Sequence, residues 1–278
     1  MRNVTFFRQL RKKTVTFFQA VMLIVGLQNL AIGHPLGNFT ISHFTQLEIA
    51  PEQIHIRYIV EMAEISTFQE FELIDTNHNR TPDKEELEAY GQRMSQQYAQ
   101  GLELIIDGKR LPVTVERQQT LWQSGTEGLP NLRVECELTS NLTSAQTNAI
   151  HRLRFEDKNR RERSGWSEIV VIPKSGMSIF DSSAFGNGIS NELKTFPPDP
   201  LASLLNEQSA EFSFVRGAAP VGSSVLKTRD GREVSAQSSN PLAKFITAPN
   251  YIFEIGLLGL MMAAVFYSYR RRQHGQQN

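Results

Sequence analysis

"NFTISHFTQLEIAPEQIHIRYIVEMAE", residues 38–64, is the stretch on which the fold reading turns. Phe39, Ile41, His43, Leu47 and Ile49 share one parity, and Ile54, Ile56, Tyr58, Val60 and Met62 share the other. Successive side chains of a strand point to opposite faces, so each set marks one face. Folding the chain at "APEQ" sets Ile49 against Ile54 and His43 against Val60, and both sets then share one face. The stretch predicts a β-hairpin with His43 on the apolar face and His55 on the polar one.

Downstream, Ser66 or Thr67 reads as an N-cap before the helical run "FQEFELI". A second helix follows, with Leu87, Tyr90, Met94 and Tyr98 at helical spacing. Between the helices lies "DTNHNRTPDKEE", residues 75–86. Asp75, Asn77, Asn79, Asp83 and Glu86 occupy positions 1, 3, 5, 9 and 12, the ligand spacing of a calcium loop between two helices. Arg80 stands at the sixth position, where such loops take glycine to reach a positive φ. Its charge also offsets one of three carboxylates. The loop reads as a degenerate calcium-type turn in an insertion spanning about 66–100, with His78 at a non-ligand position.

Strand patterns return in "LELIID" and "LPVTVER" around the turn "GKR", then in "NLRVECELT", "IHRLRFED" and "WSEIVVIPK". Several short strands with Gly- and Pro-marked turns predict a mainly β fold, an antiparallel sandwich with a helix–loop–helix insertion, over residues 34–216. Residues 217–249 begin Gly/Ser/Ala-rich and weakly apolar, and read as a flexible linker. Cys136 is the single cysteine, so no internal disulfide framework exists, and it reads as a small buried hydrophobe.

The two ends set the expected compartment. Residues 1–33 place Arg2, Arg8, Arg11, Lys12 and Lys13 before an apolar run and small residues at Ala31 and Gly33. That order is the pattern of a secretory signal or, alternatively, of an uncleaved N-terminal anchor. Cleavage after Gly33 would leave His34 at the mature terminus, where amine and imidazole together suit a transition-metal ion. Residues 250–269, mostly "YIFEIGLLGLMMAAVFYSY", are apolar enough for one C-terminal transmembrane helix. Arg270, Arg271 and Arg272 open a cytoplasmic tail, residues 270–278, by the positive-inside rule. The chain is therefore expected at a cell membrane with its main domain extracytoplasmic, periplasmic or at the cell surface.

The 278 residues carry 29 basic and 29 acidic side chains, a balance that offers no electrostatic basis for a nucleic-acid partner. The chain contains no G-x-S-x-G, H-E-x-x-H or phosphate-loop motif and no Cys/His pair, so no enzymatic activity is expected. The densest polar stretch, "FEDKNRRERSGWSEIVV" (155–171), reads as a binding loop or as a charged hairpin connection.

Three stretches in order, "HPLGNFTISHFT" (34–45), "AEISTFQEFELIDTNHNRTPDKEELEAY" (63–90) and "RSGWSEIVV" (163–171), resemble the extracytoplasmic N-terminal region of bacterial nickel/cobalt transporters of the NicO class. The resemblance spans roughly residues 34–210. It implies nickel or cobalt as the transported ion and a polytopic permease as membrane partner. The family's loop is a fuller D-x-N-x-D-G, and here Asn79 and Arg80 stand at the last two of those positions. The function expected is an accessory domain, or separated half, of such a transporter. The alternative is an orphan surface binding module that recognises protein or envelope polymer.

Overall fold

The computed structural model describes residues 37–125, 129–142, 149–174, 176–197 and 204–234. The signal or anchor segment, His34, the membrane span and the tail all lie outside the described residues. Among the described residues no helix is long and apolar enough to cross a membrane.

The 38–64 stretch forms strands β1 (Ile41–Ile49) and β2 (Gln53–Met62), paired in the expected register, Ile49 with Ile54 and His43 with Val60. Leu47, Ile49, Ile54, Ile56, Tyr58 and Val60 are fully buried, as the alternation requires. Two helices follow, α1 (Glu64–Ile74) and α2 (Lys84–Gly101). The remaining strands are β3 (Leu102–Ile106), β4 (Lys109–Leu111), β5 (Thr114–Ser124), β6 (Pro130–Asn141), β7 (His151–Asp157), β8 (Ser167–Pro173), β9 (Met177–Phe180) and β10 (Ser209–Arg216).

They build two five-stranded sheets, β5-β6-β2-β1-β8 and β4-β3-β7-β10-β9. Buried side chains of both sheets and of α2 form one contiguous apolar cluster, which includes Leu47, Ile56, Leu104, Leu153, Phe155 and Phe212. Cys136 lies in this cluster, and burial pushes its thiol up to about 12, so it stays protonated and inert. α2 contributes Tyr90, Met94 and Tyr98 from its apolar face. Burial of each such side chain is worth about 1.5–3 kcal/mol.

Four local expectations are corrected. The first sheet is not wholly antiparallel, because β8 runs parallel to β1, from His43 opposite Ser167 to Ile49 opposite Pro173. The chain leaves the first sheet after β6, forms β7 in the second, and returns to the first at β8, and β7 and β8 do not pair. α1 begins at Glu64 with Ala63 at its cap position, three residues ahead of Ser66 and four ahead of Thr67. Ser66 and Thr67 lie inside its first turns, and their hydroxyls donate to Phe39 O and Met62 O.

The pairing of "LELIID" with "LPVTVER" covers only β4, since β5 departs to the other sheet. The turn that joins β3 to β4 is Asp107–Gly108, both at positive φ (50° and 79°). That is the twist a two-residue hairpin prefers. Finally, the expected linker starts too early. Leu226 is buried in the core, Val225 bridges to Phe180, and Val234 N–H donates to Leu226 O.

The β1–β8 seam is held at its open end by Ile41 N–H to Ser164 O (2.9 Å) and His43 N–H to Trp166 O (2.6 Å). At Gly165 a Cβ would fall 1.9 Å from the backbone oxygen of Ile41. Gly165→Ala is therefore expected to lower stability by about 1–3 kcal/mol, because strand backbone rather than a pliant side chain must move. Thermal melting of the full-length chain in detergent, compared with wild type, checks this; an unchanged melting temperature would contradict the packing.

Candidate functional site

The 75–86 loop folds as a tight turn that uses its oxygen side chains internally. Asp75 accepts the N–H groups of Asn79 (3.1 Å) and Arg80 (2.8 Å). Asn77 and Asn79 accept from the amides two residues on, Asn79 N–H and Thr81 N–H. Asp83 caps α2 by accepting Glu86 N–H, while Glu86 accepts Asp83 N–H, a reciprocal capping box. Glu86 also accepts from Asn77 N–H and the Thr76 hydroxyl, and Asn77 Nδ2 donates to Asp83 (3.1 Å). Arg80 holds the sixth position at φ 67°, with His78 at 59°.

All five oxygen-bearing residues thus occupy one loop, yet their carboxylates already accept from loop N–H groups. Among the described residues no three His, Cys, Asp or Glu side chains are grouped to hold a metal ion. In this arrangement Glu86 would have to release the α2 cap to turn towards an ion in the loop. Burial alone would raise the Glu86 carboxyl, but the hydrogen bonds from Asn77, Asp83 and Thr76 outweigh it and hold it below its ordinary 4.5.

A second constellation lies where the β1 and β8 strands begin. Tyr58 and His43 are inner-face neighbours on β2 and β1, and Asp157 ends β7 of the other sheet. Asp157 Oδ2 accepts from Tyr58 OH (2.9 Å) and lies 2.8 Å from His43 Nδ1. An ionised carboxylate only accepts, so Nδ1 carries the proton. Burial and then the Asp157 charge push the Tyr58 hydroxyl well above its usual 10.0, which keeps it a donor.

His43 lines a narrow polar cleft together with Arg160, Arg161, Arg163, Asn206 and Gln208. Arg160 donates to Glu70 of α1 (2.8 Å), which also accepts from Tyr90 OH of α2 (3.0 Å). Arg161 donates to Glu156 (2.7 Å), and Arg163 to the neutral Gln69 Oε1 (2.7 Å). The "KNRRER" connection is thus tied to both helices.

The outer face of the first sheet carries the third constellation. Arg57 bonds Glu135, Glu137 and Glu192, and buried Arg133 bonds Glu61 and Glu135. Burial works against the Arg57 guanidinium, but the carboxylates of Glu192, Glu135 and Glu137 more than offset it and raise its pKa. Glu192 belongs to a strap over this face that is anchored by Glu168. That buried carboxylate accepts from Trp166 Nε1 (3.1 Å), Ser190 N–H (3.1 Å), the Ser190 hydroxyl and Ile189 N–H. Open concavities of about 410 and 380 Å³ flank Arg57, one towards Arg117 and Gln119, the other towards Glu48, His55 and Lys174.

No protein-family model matches the chain, and comparison with curated proteins gives no match. The geometry therefore carries the functional reading. It places His43 inside and His55 on the outer face, as the alternation predicts. Asp157, Asn159, Arg161 and Arg163 line the cleft. Trp166 is instead buried beneath the strap, beside Phe44, Ile59 and Leu193. Sequence reasoning missed Tyr58, Arg133 and Glu168. Tyr58 had a usable signal, an inner-parity position whose hydroxyl needs a buried acceptor.

Two changes test the loop. Arg80→Gly is expected to stabilise the chain by about 1 kcal/mol through relief of the left-handed backbone. Asp83→Ala is expected to cost about 1 kcal/mol through loss of the α2 cap. Because the Glu86 carboxyl is depressed in the folded state, its contribution is complete above pH 4.5 and disappears as pH falls through the lower folded value. Melting curves from pH 7 down to pH 3, with Glu86→Gln as control, should show that acid-dependent component missing from the variant.

Proposed function

We propose that the chain is a membrane-anchored extracytoplasmic accessory domain, or separated half, of a nickel/cobalt-type transporter, and that it engages a polytopic permease. The observation that carries this reading is the convergence of the three resembling stretches at one corner. β1 residues bond to Ser164 and Trp166, Asn38 O and Phe39 O accept from α1, and Gln69 and Glu70 accept from Arg163 and Arg160. Stretches far apart in sequence are joined there, with Gln69 and Arg163 at the surface, which suits recognition of one partner. The role in this reading is docking or assembly at the permease's outer mouth.

A surface binding module for protein or envelope polymer is the second reading, favoured by the polar concavities beside Arg57. Purification of the tagged full-length chain from membranes in mild detergent separates the two. Co-purification of a polytopic membrane protein, together with reduced cellular nickel or cobalt uptake on deletion of the chain, is expected. Unchanged uptake with retention of an envelope polymer would replace the first reading by the second.

A further inference from the structure

We infer that the cleft at the head of the β1–β8 seam is an oxyanion-binding site, for a phosphate- or carboxylate-type group. The inference is independent of the transporter reading. His43 is about 94% buried (6% exposed) and lines the cleft, so only a ligand in that cleft can reach it. Its Nδ1 is committed to Asp157 and to Tyr58, and among the described residues Nε2 has no hydrogen-bond partner. A buried imidazole fixed on one nitrogen, with its other nitrogen uncommitted, is a prepared polar contact.

The sign of the ligand follows from the lining. Arg160, Arg161 and Arg163 face the same space, against the single carboxylate of Asp157. Glu70 and Glu156 pair with Arg160 and Arg161, but among the described residues the Arg163 guanidinium bonds to a neutral amide and has no carboxylate partner. Guanidinium groups do not lose their protons, and their planar forks match the oxygens of carboxylate and phosphate. The same lining repels a metal cation, even though the Asp157–His43 pair is the arrangement that orients a metal-binding imidazole.

Size narrows the ligand further. The enclosed space is about 10 Å³, room for one water-sized group. One oxygen of an oxyanion enters towards His43, and the remaining oxygens stay at the rim within reach of Arg161 and Arg163. Asp157 keeps the proton on Nδ1, so Nε2 accepts from a ligand hydroxyl, as in hydrogen phosphate, or receives a proton brought in with a fully ionised anion, and the N–H groups of Arg163 supply the counter-charge.

Calorimetric titration of the full-length chain in neutral-detergent micelles with inorganic phosphate, and separately with acetate, tests the inference. Saturable binding is expected, weakened at least fivefold in Arg163→Gln and in Arg161→Gln, two exposed positions whose replacement leaves the core intact. In the ¹⁵N-histidine spectrum one Nε2 resonance should move with phosphate and be the one lost in His43→Gln. Absence of saturation by either anion, or equal binding by the arginine variants, would overturn the site. So would retention on phosphatidylglycerol vesicles without any response to free phosphate, which would mark a merely basic surface. Saturable nickel chloride binding that His43→Gln abolishes would likewise overturn it, in favour of a cation site.

Discussion

The Asp157 carboxylate crosses from one sheet to the other, and much of the architecture answers to it. It ends β7 in the second sheet, where its N–H donates to Gln208 O, and its side chain reaches His43 and Tyr58 of the first. Its other oxygen accepts Asn159 N–H and so shapes the connection that leads to β8. A charge in such a place is costly unless every lone pair finds a donor. Tyrosine, imidazole and backbone amide together meet that requirement, and in doing so they fix how the sheets sit at this end. Removal of one partner would leave an uncompensated buried group, so the cluster acts as a unit.

The same logic recurs on the outer face. Glu168 is buried with neutral donors only, and Trp166, Ser190 and Ile189 meet it from two segments. The strap it secures runs through three successive non-glycine residues at positive φ, Asn191, Glu192 and Leu193. Such backbone is strained and persists only where its surroundings over-determine it. Leu193 packed on Trp166 and Val170, with Glu192 on Arg57, supplies that determination. The helical insertion is tied down in the same way, by Glu70 shared between Tyr90 and Arg160.

These polar anchors divide the molecule into parts with different chemical scope. The 75–86 loop uses its carboxylates to accept from its own N–H groups and to cap α2. The cleft at the head of the β1–β8 seam retains, among the described residues, an uncommitted imidazole nitrogen and a guanidinium without a carboxylate partner. Of the two places that the polar residues of the sequence bring to notice, the cleft is the one with groups left over for a ligand.

The sequence by itself determined the hairpin register, the inward position of His43, the helix–loop–helix order, the left-handed sixth position of the loop and the burial of Cys136. Each follows from side-chain period, cap chemistry or a φ requirement, and all of these act within a few residues. Tertiary structure alone decided the parallel β1–β8 seam, the transfer of β5 to the other sheet and the docking of Leu226. It alone also assembled the meeting of His43, Tyr58 and Asp157, which lie 15 and 114 residues from one another along the chain when counted from His43. No local pattern encodes which strand returns beside which, because that choice is made by the burial available across the whole core. Ser66 and Thr67 show the point within one turn: both look like caps, and both serve instead as ties to neighbouring backbone, because the fold brought Phe39 and Met62 within reach.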